Sequence, residues 1–253
     1  MCFPYDSKPP INPIEGAAVS SENITLVSRD GTEFAAFHAR SGDPGGPAIV
    51  IMPDVRGLFP FYEELAVRFA ERGIEAIAID YFGRTAGNSR RDEKFEYQSH
   101  VAETKVPKMI DDVGAAVQLL RKPNPNRAMF TMGFCFGGSN SWIQATGPHG
   151  LAGAIGFYGH PTRPGRDGSA AVIERIDQIK APLLGLMGGA DQGIPVEEVR
   201  RFESALQKAG KEHEFKVYDG APHSFFDRRF DQYKSDCDDA WQRVLSFIET
   251  HSR

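Results

Sequence analysis

The chain reads as an α/β protein with a mostly parallel central sheet and helices on both faces. Three observations carry that reading. Short continuous apolar runs, such as the Ala-Ile-Val-Ile-Met of 48–52, have the character of parallel strands buried on both faces. Segments with apolar residues at helical spacing separate them, and the alternation continues to the C-terminus without an internal repeat. The 253 residues are within reach of one large domain, and 41% hydrophobic with 25% charged residues is the balance of an ordinary globular chain.

Residues 1–22 hold Pro4, Pro9, Pro10 and Pro13 and are expected to wrap the surface as a poorly ordered arm, leaving 23–253 as a single domain. Asp30-Gly31 between the β-prone runs 24–27 and 33–39 predicts a hairpin. Strand 48–52 follows, then helix 61–72 up to Gly73, then strand 74–79. Residues 85–102 are polar and irregular and read as an insertion over the top of the sheet. Helical periodicity resumes over 104–120 and stops at Pro123-Asn124-Pro125. A compact apolar run at 128–130 leads to a glycine-rich turn, and helix 139–145 follows it. Strands at 152–158, 183–187 and 215–218, a helix at 196–209 begun by Pro195, and a closing amphipathic helix at 231–248 complete the pattern.

Several function classes are excluded early. A formal net charge of −5 gives no reason to expect nucleic acid or an anionic membrane as partner. No apolar stretch approaches the ~20 residues that span a bilayer. The first residues lack the basic and apolar segments of a secretory signal. The three cysteines, Cys2, Cys135 and Cys237, are widely spaced and lack metal-ligand spacing, which points to a reducing, cytoplasmic setting without disulfides, metal or cofactor.

The chemistry centres on Gly133-Phe134-Cys135-Phe136-Gly137-Gly138. A strand entering a helix through Gly-x-Cys-x-Gly is a nucleophile elbow with cysteine in the usual serine position. The turn is so tight that residues two before and two after the nucleophile must be nearly free of side chain. The bland alternative is a glycine-rich turn around a buried cysteine. Further along, Asp191 follows strand 183–187 and His223 follows strand 215–218. In a parallel sheet all strand C-termini share one edge, so Cys135, Asp191 and His223 fall at one rim in the order nucleophile, acid, histidine. A thiol needs a base to become the reactive thiolate, and an imidazole needs a carboxylate to fix its tautomer and stabilise its charge.

Together with Gly188-Gly189-Ala190-Asp191 and Ala221-Pro222-His223-Ser224-Phe225, the elbow resembles the dienelactone hydrolase family of α/β-hydrolases from about residue 24 to the final helix. The resemblance implies an α/β-hydrolase fold and a Cys135-Asp191-His223 triad that cleaves carboxylic esters or lactones through a thioester. It implies an oxyanion hole from the N–H groups of Val55 and Phe136, and a thiol-restraining acid at Asp54, where the family more often has glutamate. It places Arg84 at one carboxylate-binding position. The second, four residues after the histidine, is Asp227 here, so Arg228 is the candidate, with Arg163 or Arg166 as other sources of charge. Tyr81, Phe82 and Phe225 are candidates for an apolar substrate wall. The partner implied is a small ester or lactone, and the protein is expected to be a monomer or homodimer. The alternative function is a non-catalytic small-molecule-binding protein on the same fold.

Overall fold

The computed structural model describes residues 5–17, 19–226 and 231–252. Among them, eight strands form one sheet: β1 (Ser20–Val27), β2 (Glu33–Arg40), β3 (Ala48–Met52), β4 (Glu75–Ile79), β5 (Met129–Phe134), β6 (Gly153–Phe157), β7 (Leu183–Gly188) and β8 (His213–Tyr218). Their spatial order is β1-β2-β4-β3-β5-β6-β7-β8. The β1–β2 and β2–β4 pairs are antiparallel, and the remaining pairs from β4 to β8 are parallel. This is the mostly parallel sheet expected for an α/β-hydrolase fold. All residues of β3, β4, β5, β6 and β7 are buried, which explains their continuous rather than alternating apolar sequences.

The helices are α1 (Pro60–Ala70), α2 (Gly83–Ala86), α3 (Tyr97–Ala102), α4 (Val106–Arg121), α5 (Phe136–Gln144), α6 (Val196–Lys208) and α7 (Lys234–His251), with a 3-10 helix at Val172–Gln178. Helix α1 packs against β2 and β4, and α5 against β5 and β6. After β3 the chain runs outward to β4 and then returns across to β5. Strand order therefore switches direction between β3 and β5, and a crevice opens beyond their C-terminal ends.

Three expectations need correction. The helix after the elbow begins at Phe136 rather than 139, because the carbonyl of Cys135 already accepts the first helical bond, from Ser139 N–H at 3.2 Å. The arm is not loose over its described part. Ile11 is buried, Tyr5 stacks on Phe59 with centroids 6.1 Å apart, and β1 starts at Ser20, inside the stretch assigned to the arm. The 85–102 segment is also anchored: it contains α3, and Arg91 pairs with Asp80 at 2.9 Å, both side chains almost fully buried. The Arg91 guanidinium lies 4.7 Å from the Phe95 ring centroid, a cation–π contact that adds to the anchor.

Candidate active site

The elbow geometry follows from its glycines. A Cβ on Gly133 would collide with the carbonyl of Gly137, and one on Gly137 with the carbonyls of Met52 and Pro53. With no side chains in the way, the chain turns so tightly that Cys135 adopts φ 55° and ψ −112°, left-handed backbone that a non-glycine residue enters only at a cost of about 1–3 kcal/mol. Its N–H donates to the Phe157 carbonyl at 3.0 Å, tying the turn to β6. Phe134, directly before it, is fully buried and stacks on Phe157 at 4.8 Å between centroids, so the strand beneath the thiol is rigidly packed.

Two further residues have positive φ: Tyr158 (φ 37°), just past β6, and the buried Ser224 (φ 60°), just past His223. The ring of Tyr158 lies 4.9 Å from that of His223. Neither residue carries a signal in the sequence, since left-handed backbone at a tyrosine or serine has no composition cue.

His223, Asp191 and Cys135 meet at the rim. His223 Nδ1 is 2.6 Å from Asp191 Oδ2, and the imidazole also hydrogen-bonds the thiol of Cys135. Asp191 Oδ1 accepts from the N–H groups of Gly193 (2.8 Å) and Ile194 (3.2 Å). One carboxylate thus fixes its own turn with one oxygen and the histidine with the other. Burial disfavours charge on His223, but the bonds to Asp191 and Cys135 outweigh it and push its pKa up to about 10. These contacts favour the protonated ring beside Cys135.

On the opposite side, the loop after β3 brings Val55 to the cavity wall, and Phe136 opens α5 there. Among the described residues the N–H groups of both lack an acceptor. The loop is held from three directions. Asp54 N–H donates to Tyr62 Oη at 2.8 Å, Tyr81 Oη donates to the Pro53 carbonyl at 2.7 Å, and Leu58 N–H donates to Asp80 Oδ1 at 3.0 Å. Gly57 (φ 82°) closes the turn, and a side chain there would strike Asp80 and Phe82. Donors fixed in this way cost no reorganisation when charge develops on a bound oxygen.

Several expected site residues lie elsewhere. Both oxygens of buried Asp54 are engaged by Arg56, through the backbone N–H at 2.8 Å and Nη2 at 2.8 Å, so the carboxylate secures its own loop. Arg84 does not face the Cys135 cavity. Its guanidinium is taken by Asp112 (2.7 Å), Asp30 (3.1 Å) and Ser28 (2.8 Å). Tyr81 is buried with its hydroxyl committed to Pro53, and together with Arg84 it borders a separate hollow of about 220 Å³. Phe82 is fully buried between Phe95 and His100, and Phe225 among Tyr158, Phe157 and Tyr218, so core packing takes both from the substrate wall. Arg228 and Asp227 lie outside the described residues.

The cavity over Cys135 has a volume of about 500 Å³. Val55, Phe136, Ile143, Tyr158, Ile194 and Pro222 give it a mainly apolar lining, and Arg163 and Arg166 stand at its edge. Both arginines are exposed, and neither has an ion-pair or hydrogen-bond partner among the described residues. No group of His, Cys, Asp and Glu among the described residues is arranged to hold a metal ion, and no helix there is long and apolar enough to cross a membrane.

A relative from Methylorubrum extorquens, named for carboxymethylenebutenolidase activity, is 30% identical over 90% of this chain and 80% of its own. A Bradyrhizobium relative, named as a 2-oxo-3-(5-oxofuran-2-ylidene)propanoate lactonase, is 27% identical over 92% of this chain and 97% of its own. A crystal structure from Klebsiella pneumoniae, titled as a dienelactone hydrolase, superposes with a TM-score of 0.80 at 25% identity, covering 92% of this chain and 99% of that one. The model of the dienelactone hydrolase family matches residues 34–252, from the second strand through the last helix. The protein is a hydrolase of the dienelactone hydrolase family.

Proposed function

We propose that the protein hydrolyses carboxylic esters or lactones, with Cys135 as nucleophile, His223 as acid and base, and Asp191 as its orienting carboxylate. The observation that carries the reading is the continuous hydrogen-bonded line from Asp191 through His223 to Cys135, at the mouth of an apolar cavity. The Cys135 thiolate attacks the carbonyl carbon, and the carbonyl electrons move onto oxygen. The N–H groups of Val55 and Phe136 receive that oxyanion, each such donor being worth about 3 kcal/mol in the transition state. As the C–O bond breaks, the His223 imidazolium gives its proton to the departing oxygen, which stays attached to the product when the substrate is a lactone. The neutral imidazole then takes a proton from water, the hydroxide adds to the thioester, and the C–S bond breaks to restore the thiolate. Arg163 and Arg166 favour substrates with an anionic group at the outer end.

The test is turnover of activated short-chain esters with mass spectrometry of the quenched enzyme. An acyl adduct on Cys135, and a loss of at least about 10³-fold in kcat for Cys135→Ala, are expected. Wild-type turnover in both Cys135→Ala and Cys135→Ser would end the proposal. Ligand binding without any adduct or turnover would establish the non-catalytic binding protein in its place.

A further inference from the structure

A second histidine stands on the cavity wall and has no part in the reaction above. His160 follows β6, and its backbone is clamped to the elbow helix from both sides. Its N–H donates to Ser139 Oγ at 2.7 Å, and that hydroxyl donates to the His160 carbonyl at 3.2 Å. The ring is oriented from behind by α6. Nδ1 is 3.4 Å from Thr162 Oγ1 and 3.6 Å from Glu198 Oε2, while Thr162 itself makes a short hydrogen bond to Glu198.

The hydroxyl has one proton, and the carboxylate can only accept it. Thr162 Oγ1 is therefore left as the acceptor for Nδ1, which must carry the ring proton. Nε2 then presents a lone pair, and among the described residues no hydrogen bond engages it. Burial, reinforced by Arg163, holds the pKa of His160 below its ordinary value and favours the uncharged ring. The result is an acceptor of fixed orientation, with its side chain only 15% exposed, on the wall of the cavity over Cys135.

We infer that His160 is a specificity-determining residue whose Nε2 accepts a hydrogen bond from a substrate hydroxyl or N–H, selecting hydroxylated esters or lactones over their deoxy counterparts. This inference rests on the ester-hydrolase reading of the same cavity. An acceptor built and oriented by protein groups penalises a ligand that cannot donate to it, because it loses its water on binding and gains nothing in return.

The experiment compares kcat/KM for 4-nitrophenyl butyrate with its 2- and 3-hydroxy derivatives. The wild type is expected to prefer one hydroxylated isomer by about tenfold or more. His160→Phe should collapse that ratio to within about threefold, and His160→Gln, which keeps an acceptor, should restore part of it. Thr162→Val breaks the relay behind the ring and should lower the ratio too, which serves if the Phe variant does not fold. A ratio near one in the wild type, or one that survives both His160→Phe and Thr162→Val, overturns the inference while leaving the ester-hydrolase reading intact. Absence of turnover of every ester by the wild type would overturn that reading, and the inference with it.

Discussion

Two histidines share one cavity wall, each with a carboxylate behind it, yet their surroundings push their pKa values in opposite directions. His223 touches Asp191 directly at 2.6 Å and faces the Cys135 thiol, and these contacts overcome burial to push its pKa up to about 10. His160 reaches Glu198 only at 3.6 Å, with Thr162 relaying the contact and Arg163 nearby, and burial wins. The residue types are the same. What differs is whether a full negative charge lies in hydrogen-bonding contact with the ring. A histidine at the rim of such a sheet is therefore assigned a role by its immediate neighbours, not by its position after a strand.

The sharpest way to break this comparison is to exchange the histidines' fates. His223→Gln is expected to lower kcat by about 10³-fold or more, because both the proton donor and the thiolate's partner are lost. A similar fall in His160→Gln would erase the distinction. Asp191→Asn comes next, with a loss of about 10²–10⁴-fold from a misdirected tautomer.

The pH dependence follows from the same contact. Since the folded-state pKa of His223 is raised, the imidazolium persists through neutral pH, and kcat/KM should fall only as pH rises towards about 10. In Asp191→Asn that alkaline limb should move down towards the ordinary histidine value. A wild-type limb near pH 6.5 would show that the carboxylate and thiol do not hold the charge. By linkage, this group's contribution to stability is fully present below about pH 6.5 and is lost as pH rises through about 10.

The arginines give a smaller contrast of the same kind. Arg163 and Arg166 are unpaired among the described residues, whereas Arg84 is locked by Asp112 and Asp30. Replacing Arg163 and Arg166 together by glutamine should raise KM for an anionic ester about tenfold, with kcat little changed, as read from steady-state kinetics. Arg84→Gln should instead leave the buried Asp112 carboxylate without its cation and cost about 3 kcal/mol, measurable by denaturant unfolding. If Arg84→Gln raised KM selectively for anionic esters and left stability unchanged, Arg84 would be a ligand group after all.

Much of this was readable in the chain. The apolar runs and their order predict the sheet, and the positions of Gly133, Cys135, Gly137, Asp191 and His223 follow from strand ends and turn sterics. The rest depends on partners distant in sequence. Asp112 has the look of a surface residue on a helix, and only the packing of α4 brings it to Arg84, 28 residues earlier. Asp54 pairs within its own loop because Arg56 can fold back over two residues, a choice of rotamer that no spacing rule reveals. The acceptor on His160 depends on Thr162 and on Glu198, which comes from another helix.

Cys135, Tyr158 and Ser224 all lie on one rim in a backbone form that glycine adopts freely. The heat tolerance of this enzyme is therefore set partly by its working edge, and relaxation there would come at the expense of aim. Ser224→Gly should melt slightly higher, and the gain should be matched by a less well-directed His223 and slower turnover. Selection for a hardier variant in the laboratory would be drawn to Tyr158 and Ser224, and the hardier survivors would be the slower catalysts.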